Sequence, residues 1–217
     1  MTKDRIDAFK QLFGNVVSVI TTEDNLHEFA YNNFNGRFSM SYPNNAIHVV
    51  EYLTNNYKNK NHVDIGASRA YLSKKLLENK INSYSIDGSD YGIKNGFLDI
   101  QKDRYAVCDL TTYDFTKTNL EKFFDISTAF EVTEHIHEKD IYKFYDNVSF
   151  ISKEHLCSIH TSGPDSKSGV RTSHHNIKNK SWWFKFFENY GKVEEMPHLK
   201  TKIGWEESEF LKITFYN

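Results

Sequence analysis

Three aspartates stand at the carboxyl ends of successive short apolar runs: Asp64 in HVDIG, Asp87 in SYSID and Asp109 in RYAVCD. A carboxylate at such an end can accept hydrogen bonds from hydroxyl or amino groups, or pair with a cation. Asp87 follows Gly66 by 21 residues, close to the roughly 20 at which an acid reaches the ribose hydroxyls of an adenosine ligand. The alternative for Asp87 is a helix cap in DGSDYG, a task Asp90 could take instead. Asp109 suits an adenine amino group, or else a turn before Leu110 and Thr111. Gly66, Ala67 and Ser68 lie where a strand turns into a helix and backbone amides become available to a ligand. A dinucleotide loop wants three glycines there, but positions 68 and 70 are Ser and Ala. With Asp64 nearby, the loop disfavours a pyrophosphate and favours a ligand with an ammonium end.

A second group follows the fourth apolar run, FDISTAF: Phe130, Glu131, Glu134 and His135, in FEVTEHIH. Six of the ten histidines fall between Glu131 and His175, namely His135, His137, His155, His160, His174 and His175. Histidine is suited to general-base work near neutral pH. For His135 the alternative is a helix-start residue that packs under a ligand; for His174 it is a loop residue that orders its own backbone. A metal site is the rival reading of Glu131, Glu134, His135 and His137, but His135 and His137 are two apart and would point to different faces of a helix, and neither a cysteine nor a His-x-x-x-His framework supports zinc. No metal is therefore expected. Trp183, in SWWFKFF, reads mainly as core, with one face of its helix free to shape an acceptor pocket.

These residues need a scaffold that brings strand ends together. From about residue 61 onward, short β-branched or aromatic runs alternate with amphipathic segments, the pattern of a parallel sheet covered by helices. The strands expected are 62–66, 83–87, 104–109, 124–130 and 155–161. Between them, Ala70, Leu72, Leu76 and Leu77 share one helix face, and Ile141, Phe144, Tyr145 and Val148 another. Residues 181–190 read as a helix ended by Gly191. The runs 192–196 and 209–217 then read as an antiparallel pair at a sheet edge. Helices are also expected over 4–13 and 46–57. Residues 1–60 form an N-terminal helical segment, and 61–217 one compact domain. In such sheets the ligand lies beyond the carboxyl ends of the strands, where the aspartates, Glu131 and His160 all stand. The loop 162–176 shows no periodicity, as functional loops often do not.

Composition narrows the partners. The 217 residues carry 27 basic and 29 acidic side chains, a formal charge of −2, which weighs against duplex nucleic acid as a partner. A mean hydropathy of −0.63 and the lack of a long apolar run argue for a soluble, cytoplasmic protein with no membrane partner. Cys108 and Cys157 sit in apolar runs and read as small buried hydrophobes. Oligomerisation is left open by composition.

The set DIGASRAYLSKKL, YSIDGS, AVCDL and FDISTAFEVTEHI resembles the class I S-adenosylmethionine-dependent methyltransferases, in order and spacing, over about residues 60–217. It is similar in particular to small bacterial and viral members in which EVxEHI precedes His-x-Asn and a Trp-bearing helix, here His174, Asn176 and Trp183. The resemblance implies a Rossmann-like α/β sandwich whose seven-stranded sheet is mostly parallel with a reversed last strand. It implies S-adenosyl-L-methionine as cofactor, with Asp64, Gly66, Ala67 and Ser68 at its methionine portion, Asp87 and Gly88 at the ribose, Asp109 and Leu110 at the adenine, and Phe130 and Glu131 beside them. The implied chemistry is an SN2 methyl transfer to an oxygen or nitrogen of a small-molecule or carbohydrate-like acceptor. His135 and His174 become the candidate catalytic residues, with Glu134, His160, Asn176 and Trp183 around the acceptor. Arg37 and Tyr42, in the aromatic stretch before the sheet, would belong to a lid. Two other readings stand beside this one: a catalytically silent domain of the same fold that binds a partner, which the altered glycine loop favours, and a Rossmann oxidoreductase, which it disfavours. A nucleotide or peptide acceptor also stays open.

Overall fold

The computed structural model describes residues 47–89, 100, 102–161, 174–200 and 208–217. Arg37, Tyr42, the helix expected over 4–13 and most of the 162–176 loop lie outside them. The elements run α1 (Ile47–Asn56), β1 (Asn61–Ile65), α2 (Tyr71–Glu78), β2 (Asn82–Asp87), β3 (Tyr105–Val107), β4 (Phe124–Phe130), α3 (Ile141–Ile151), β5 (Ser152–His160), α4 (Lys180–Glu188), β6 (Gly191–Glu195) and β7 (Ser208–Phe215). Seven strands form one sheet in the order β3-β2-β1-β4-β5-β7-β6. The first five pair in parallel, and β7 runs antiparallel to both β5 and β6. The expected antiparallel pair is therefore present, with β7 inserted between β5 and the edge strand β6. Strand order reverses between β1 and β4, so a crevice opens at their carboxyl ends.

Each face of the sheet buries its own helices. On one face, Leu53 of α1 and Leu72 and Leu76 of α2 meet Ile126, Phe130, Leu156 and Phe210. On the other, Ile141, Phe144, Tyr145 and Val148 of α3 and Trp183 and Phe187 of α4 meet Val63, Ile65, Ile159 and Leu211. Both expected helix faces are thus core, although Leu77 is only half-buried. Gly191 opens β6 because a side chain there would collide with β7: a Cβ would lie 2.2 Å from the Thr214 carbonyl oxygen. β5 begins at Ser152, earlier than its apolar pattern indicates. Its buried hydroxyl hydrogen-bonds Ser127 and the Val148 carbonyl, so polar residues enter the ladder with their partners attached.

A polar row crosses the middle of the sheet on the α1–α2 face. The His62 ring sits 2.7 Å from Ser83 Oγ and 3.0 Å from Thr128 Oγ1, and Thr128 donates to Asp64 at 2.7 Å. On the opposite face, His155 Nδ1 lies 2.8 Å from Ser127 Oγ. Burial disfavours charge on both rings and pushes each imidazole down to about 3. No helix among the described residues is long and apolar enough to cross a membrane.

The two histidines make stability fall with acid. Unfolded, each ring binds a proton below about 6.5, whereas folded it stays neutral to about 3, so stability is lost as pH drops through that interval. Urea unfolding of His62→Gln between pH 6.5 and 4 should fall less steeply than wild type, by up to about 1.4 kcal/mol per pH unit. Parallel curves would contradict the assignment.

Candidate functional site

The turn from β1 into α2 has an unusual backbone. Gly66, Ser68 and Ala70 all occupy the left-handed region, with φ of 68°, 48° and 61°. Only glycine adopts this freely, so the sites of the missing second and third glycines keep the conformation without the residue. Gly66 has a further reason to be glycine: a Cβ would lie 2.4 Å from Val132 Cγ2. The β1 turn is thereby pressed against the EVTEHI segment after β4.

Asp87 holds the turn in place. One carboxylate oxygen accepts from the Ser68 amide at 2.8 Å and the other from the Ser89 amide at 2.9 Å, so the buried side chain joins the turns after β1 and β2. A carboxylate at this strand end is of the chemical type that accepts from a vicinal diol. The Ser89 bond is a local one across two residues, and the helix that the alternative role would cap lies outside the described residues; the Ser68 bond is long-range and unforeseen. Tyr105 completes the floor by donating to the Ser68 carbonyl at 3.1 Å. The buried Ala67 donates to Ile86 O, and Gly88 lies between the two Asp87 contacts.

Asp64 is buried in the crevice below. Burial, and less so the nearby Asp87 charge, raise its carboxyl to about 7, against the lowering hydrogen bond from Thr128. Asp109 builds its own turn, accepting from both the amide and hydroxyl of Thr111 at 2.8 and 2.7 Å. Leu110 is a core side chain whose carbonyl accepts from Asn147 at 2.7 Å. Phe130 closes β4 against Phe210, with ring centroids 5.8 Å apart. Glu131 is a fourth left-handed residue, φ 55°, held by reciprocal bonds with Ser158: its amide donates to Oγ at 3.0 Å and its carboxylate accepts from it at 2.7 Å.

The two histidine-bearing segments meet at Glu134. Its main-chain carbonyl accepts from the amides of His175 and Asn176 at 2.7 and 3.0 Å, docking the end of the 162–176 loop onto the turn after β4. The His174 ring stands edge-on to His135, centroids 4.9 Å apart, and 5.0 Å from His160. The metal reading weighed from the sequence drew its four residues, Glu131, Glu134, His135 and His137, from one segment, and His137 instead stacks on His175 at the surface. Glu134 is fully buried, and neither carboxylate oxygen has a hydrogen-bond partner among the described residues. Burial pushes its carboxyl well above the usual range, and the Glu131 carboxylate adds to that push. Both side-chain polar atoms of the buried Asn176 likewise lack partners. Trp183 is fully enclosed in the core, so its place is structural rather than at an open acceptor surface.

No protein-family model matches the chain, and no curated protein matches its sequence. Solved structures match its fold. A 1,6-didemethyltoxoflavin-N1-methyltransferase from Burkholderia thailandensis, solved with 1,6-didemethyltoxoflavin and S-adenosylhomocysteine, has a TM-score of 0.62 at 10% identity, covering 93% of this chain and 94% of that one. A magnesium protoporphyrin IX methyltransferase from Synechocystis PCC 6803, with bound S-adenosylhomocysteine, has 0.60 at 12% identity over 97% of this chain and 94% of its own. A Rhodobacter sphaeroides protein provisionally named as a Zn-dependent alcohol dehydrogenase has 0.65 at 12% identity, covering 92% of this chain and 100% of that one. The chain has the Rossmann-like sandwich of these proteins; at such identities the likeness is one of fold.

The apposition of the two turns is measurable. Gly66→Ala should cost about 2–4 kcal/mol in urea unfolding, from left-handed strain plus overpacking. The cost should be smaller in a Val132→Ala background, which removes the clash but leaves the strain. An equal cost in both backgrounds would show that Val132 does not confine the turn.

Proposed function

We infer that the protein is an S-adenosylmethionine-dependent methyltransferase acting on an oxygen or nitrogen of a small-molecule or carbohydrate-like acceptor. The observation that carries this reading is the Gly66-x-Ser68-x-Ala70 turn, left-handed at all three positions and tied to the ribose-side acid Asp87. Backbone strain kept at two non-glycine positions supports a turn shaped for a ligand. It also weakens the silent-domain reading, whose main support was the loss of those glycines.

In this reading the methionine portion lies along Gly66, Ala67 and Ser68, its ammonium toward Asp64. Asp87 and Gly88 receive the ribose, and Asp109 and Leu110 flank the adenine. Phe130 and Glu131 form the wall toward the acceptor, and Glu134, His160 and Asn176 surround it. The acceptor atom attacks the methyl carbon in line with the sulfur; the sulfur–carbon bond breaks as the new bond forms, and neutral S-adenosylhomocysteine departs. His135 and His174 orient the acceptor and receive its proton. Most of the acceleration comes from alignment, since no covalent enzyme intermediate is needed. Arg37 and Tyr42 are proposed as lid residues.

Calorimetry with S-adenosylmethionine and with NAD tests the assignment. Binding of the first and not the second is expected, and binding of neither would sink the enzymatic reading. Asp87→Ala should weaken S-adenosylmethionine by about 1–3 kcal/mol, the cost of leaving hydroxyls unpartnered. Because an ammonium favours the ionised form of Asp64, affinity should rise by up to about tenfold per pH unit from pH 5 toward 7 and then level. Asp64→Asn should abolish that slope; a slope that survives would exclude the Asp64 contact.

A further inference from the structure

The meeting of Glu134, His135 and His174 has a chemistry that the cofactor contacts leave unused. One carboxylate oxygen of Glu134 and one ring nitrogen from each histidine lie within 4.8 Å of one another. Three atoms so placed share a point no farther than 4.8/√3, about 2.8 Å, from each. Metal–nitrogen and metal–oxygen bonds are about 2.0–2.2 Å, so a shift of well under 1 Å per side chain would close the set. Glu134 is fully buried with both oxygens lacking hydrogen-bond partners among the described residues, an arrangement that is costly unless something else meets the carboxyl. The backbone is arranged to keep the set together: the Glu134 carbonyl takes the amides of His175 and Asn176, fixing the segment that carries His174 to the residue it would join.

We propose that Glu134, His135 and His174 bind one divalent first-row transition-metal ion. Two imidazoles with one carboxylate suit zinc, manganese or cobalt better than calcium or magnesium, which prefer all-oxygen sets. Three protein ligands leave a coordination position open, as in catalytic rather than structural sites. His160, beside His174, and the buried Asn176 side chain line the surroundings. If the open position takes an acceptor hydroxyl, the ion replaces the two imidazoles in easing loss of its proton, which passes to water, and leaves an oxygen ready to accept the methyl group. That last role rests on the methyltransferase reading; ion binding does not.

The test uses the full chain, stripped with a chelator and titrated with zinc or manganese chloride without cofactor, alongside cobalt(II) absorption. Saturable binding of one ion per chain is expected, with visible cobalt bands of a nitrogen- and oxygen-ligated ion. Glu134→Gln and His174→Ala should each weaken binding by more than the roughly 10–100-fold seen when an outer partner of a ligand is lost. His137→Ala, at the exposed stacked pair, should leave it unchanged. Circular dichroism and urea unfolding establish that each variant is folded, and His135→Ala replaces any that is not. Absence of saturable binding in the wild type overturns the proposal, as does binding that survives Glu134→Gln and His174→Ala or is lost in His137→Ala. S-adenosylmethionine binding, measured separately, identifies a failure of the methyltransferase reading alone.

Discussion

The carboxylate of Asp87 is the constraint on which the turn between β1 and α2 depends. It is buried at the end of β2 and takes one amide from the turn after β1 and one from its own. A charge-assisted bond of this kind is stronger than one between neutral groups, and here it holds Ser68 in a left-handed conformation that serine adopts at a cost. Gly66 cannot relax away, since Val132 stands against it. The turn is thereby fixed from two sides, by a charge on β2 and by a side chain after β4.

The turn after β4 depends on a different kind of join. A single carbonyl, that of Glu134, receives the chain returning from the 162–176 loop. This docking brings His174 beside His135 and buries Glu134 without partners. The two turns share the β4 terminus: Val132 stands against Gly66, Glu131 is locked to Ser158 on β5, and Glu134 carries the histidine segment.

Much of this was legible in the sequence because buried strands announce themselves as apolar runs and helices by their spacing. FDISTAF is β4 residue for residue, and the face Ile141, Phe144, Tyr145 and Val148 is core. Strand starts made of polar residues were less legible: Ser152 enters β5 through hydroxyl bonds that no hydropathy pattern records. The order β5-β7-β6 follows from pairing, not from composition. At the site, Ser68 and Ala70 read as departures from a glycine loop, since residue type reports backbone cost and not backbone shape. That Glu134, His135 and His174, already grouped around the acceptor, place ligand atoms within reach of one ion was missed for a related reason. Spacing within one segment says nothing of a ligand delivered from another, and the only hint was the excess of histidine in both.

The left-handed turn, Asp87 and the Glu134 join all stand at the carboxyl ends of β1, β2 and β4, where the methyltransferase reading puts a single ligand. A crystal structure of the full chain with S-adenosylhomocysteine tests it most directly. The account predicts the amino-acid end over Gly66 to Ser68, the ribose hydroxyls on Asp87 and the sulfur facing His135 and His174. A ligand bound elsewhere, or a turn that abandons its left-handed residues to admit it, would contradict the account.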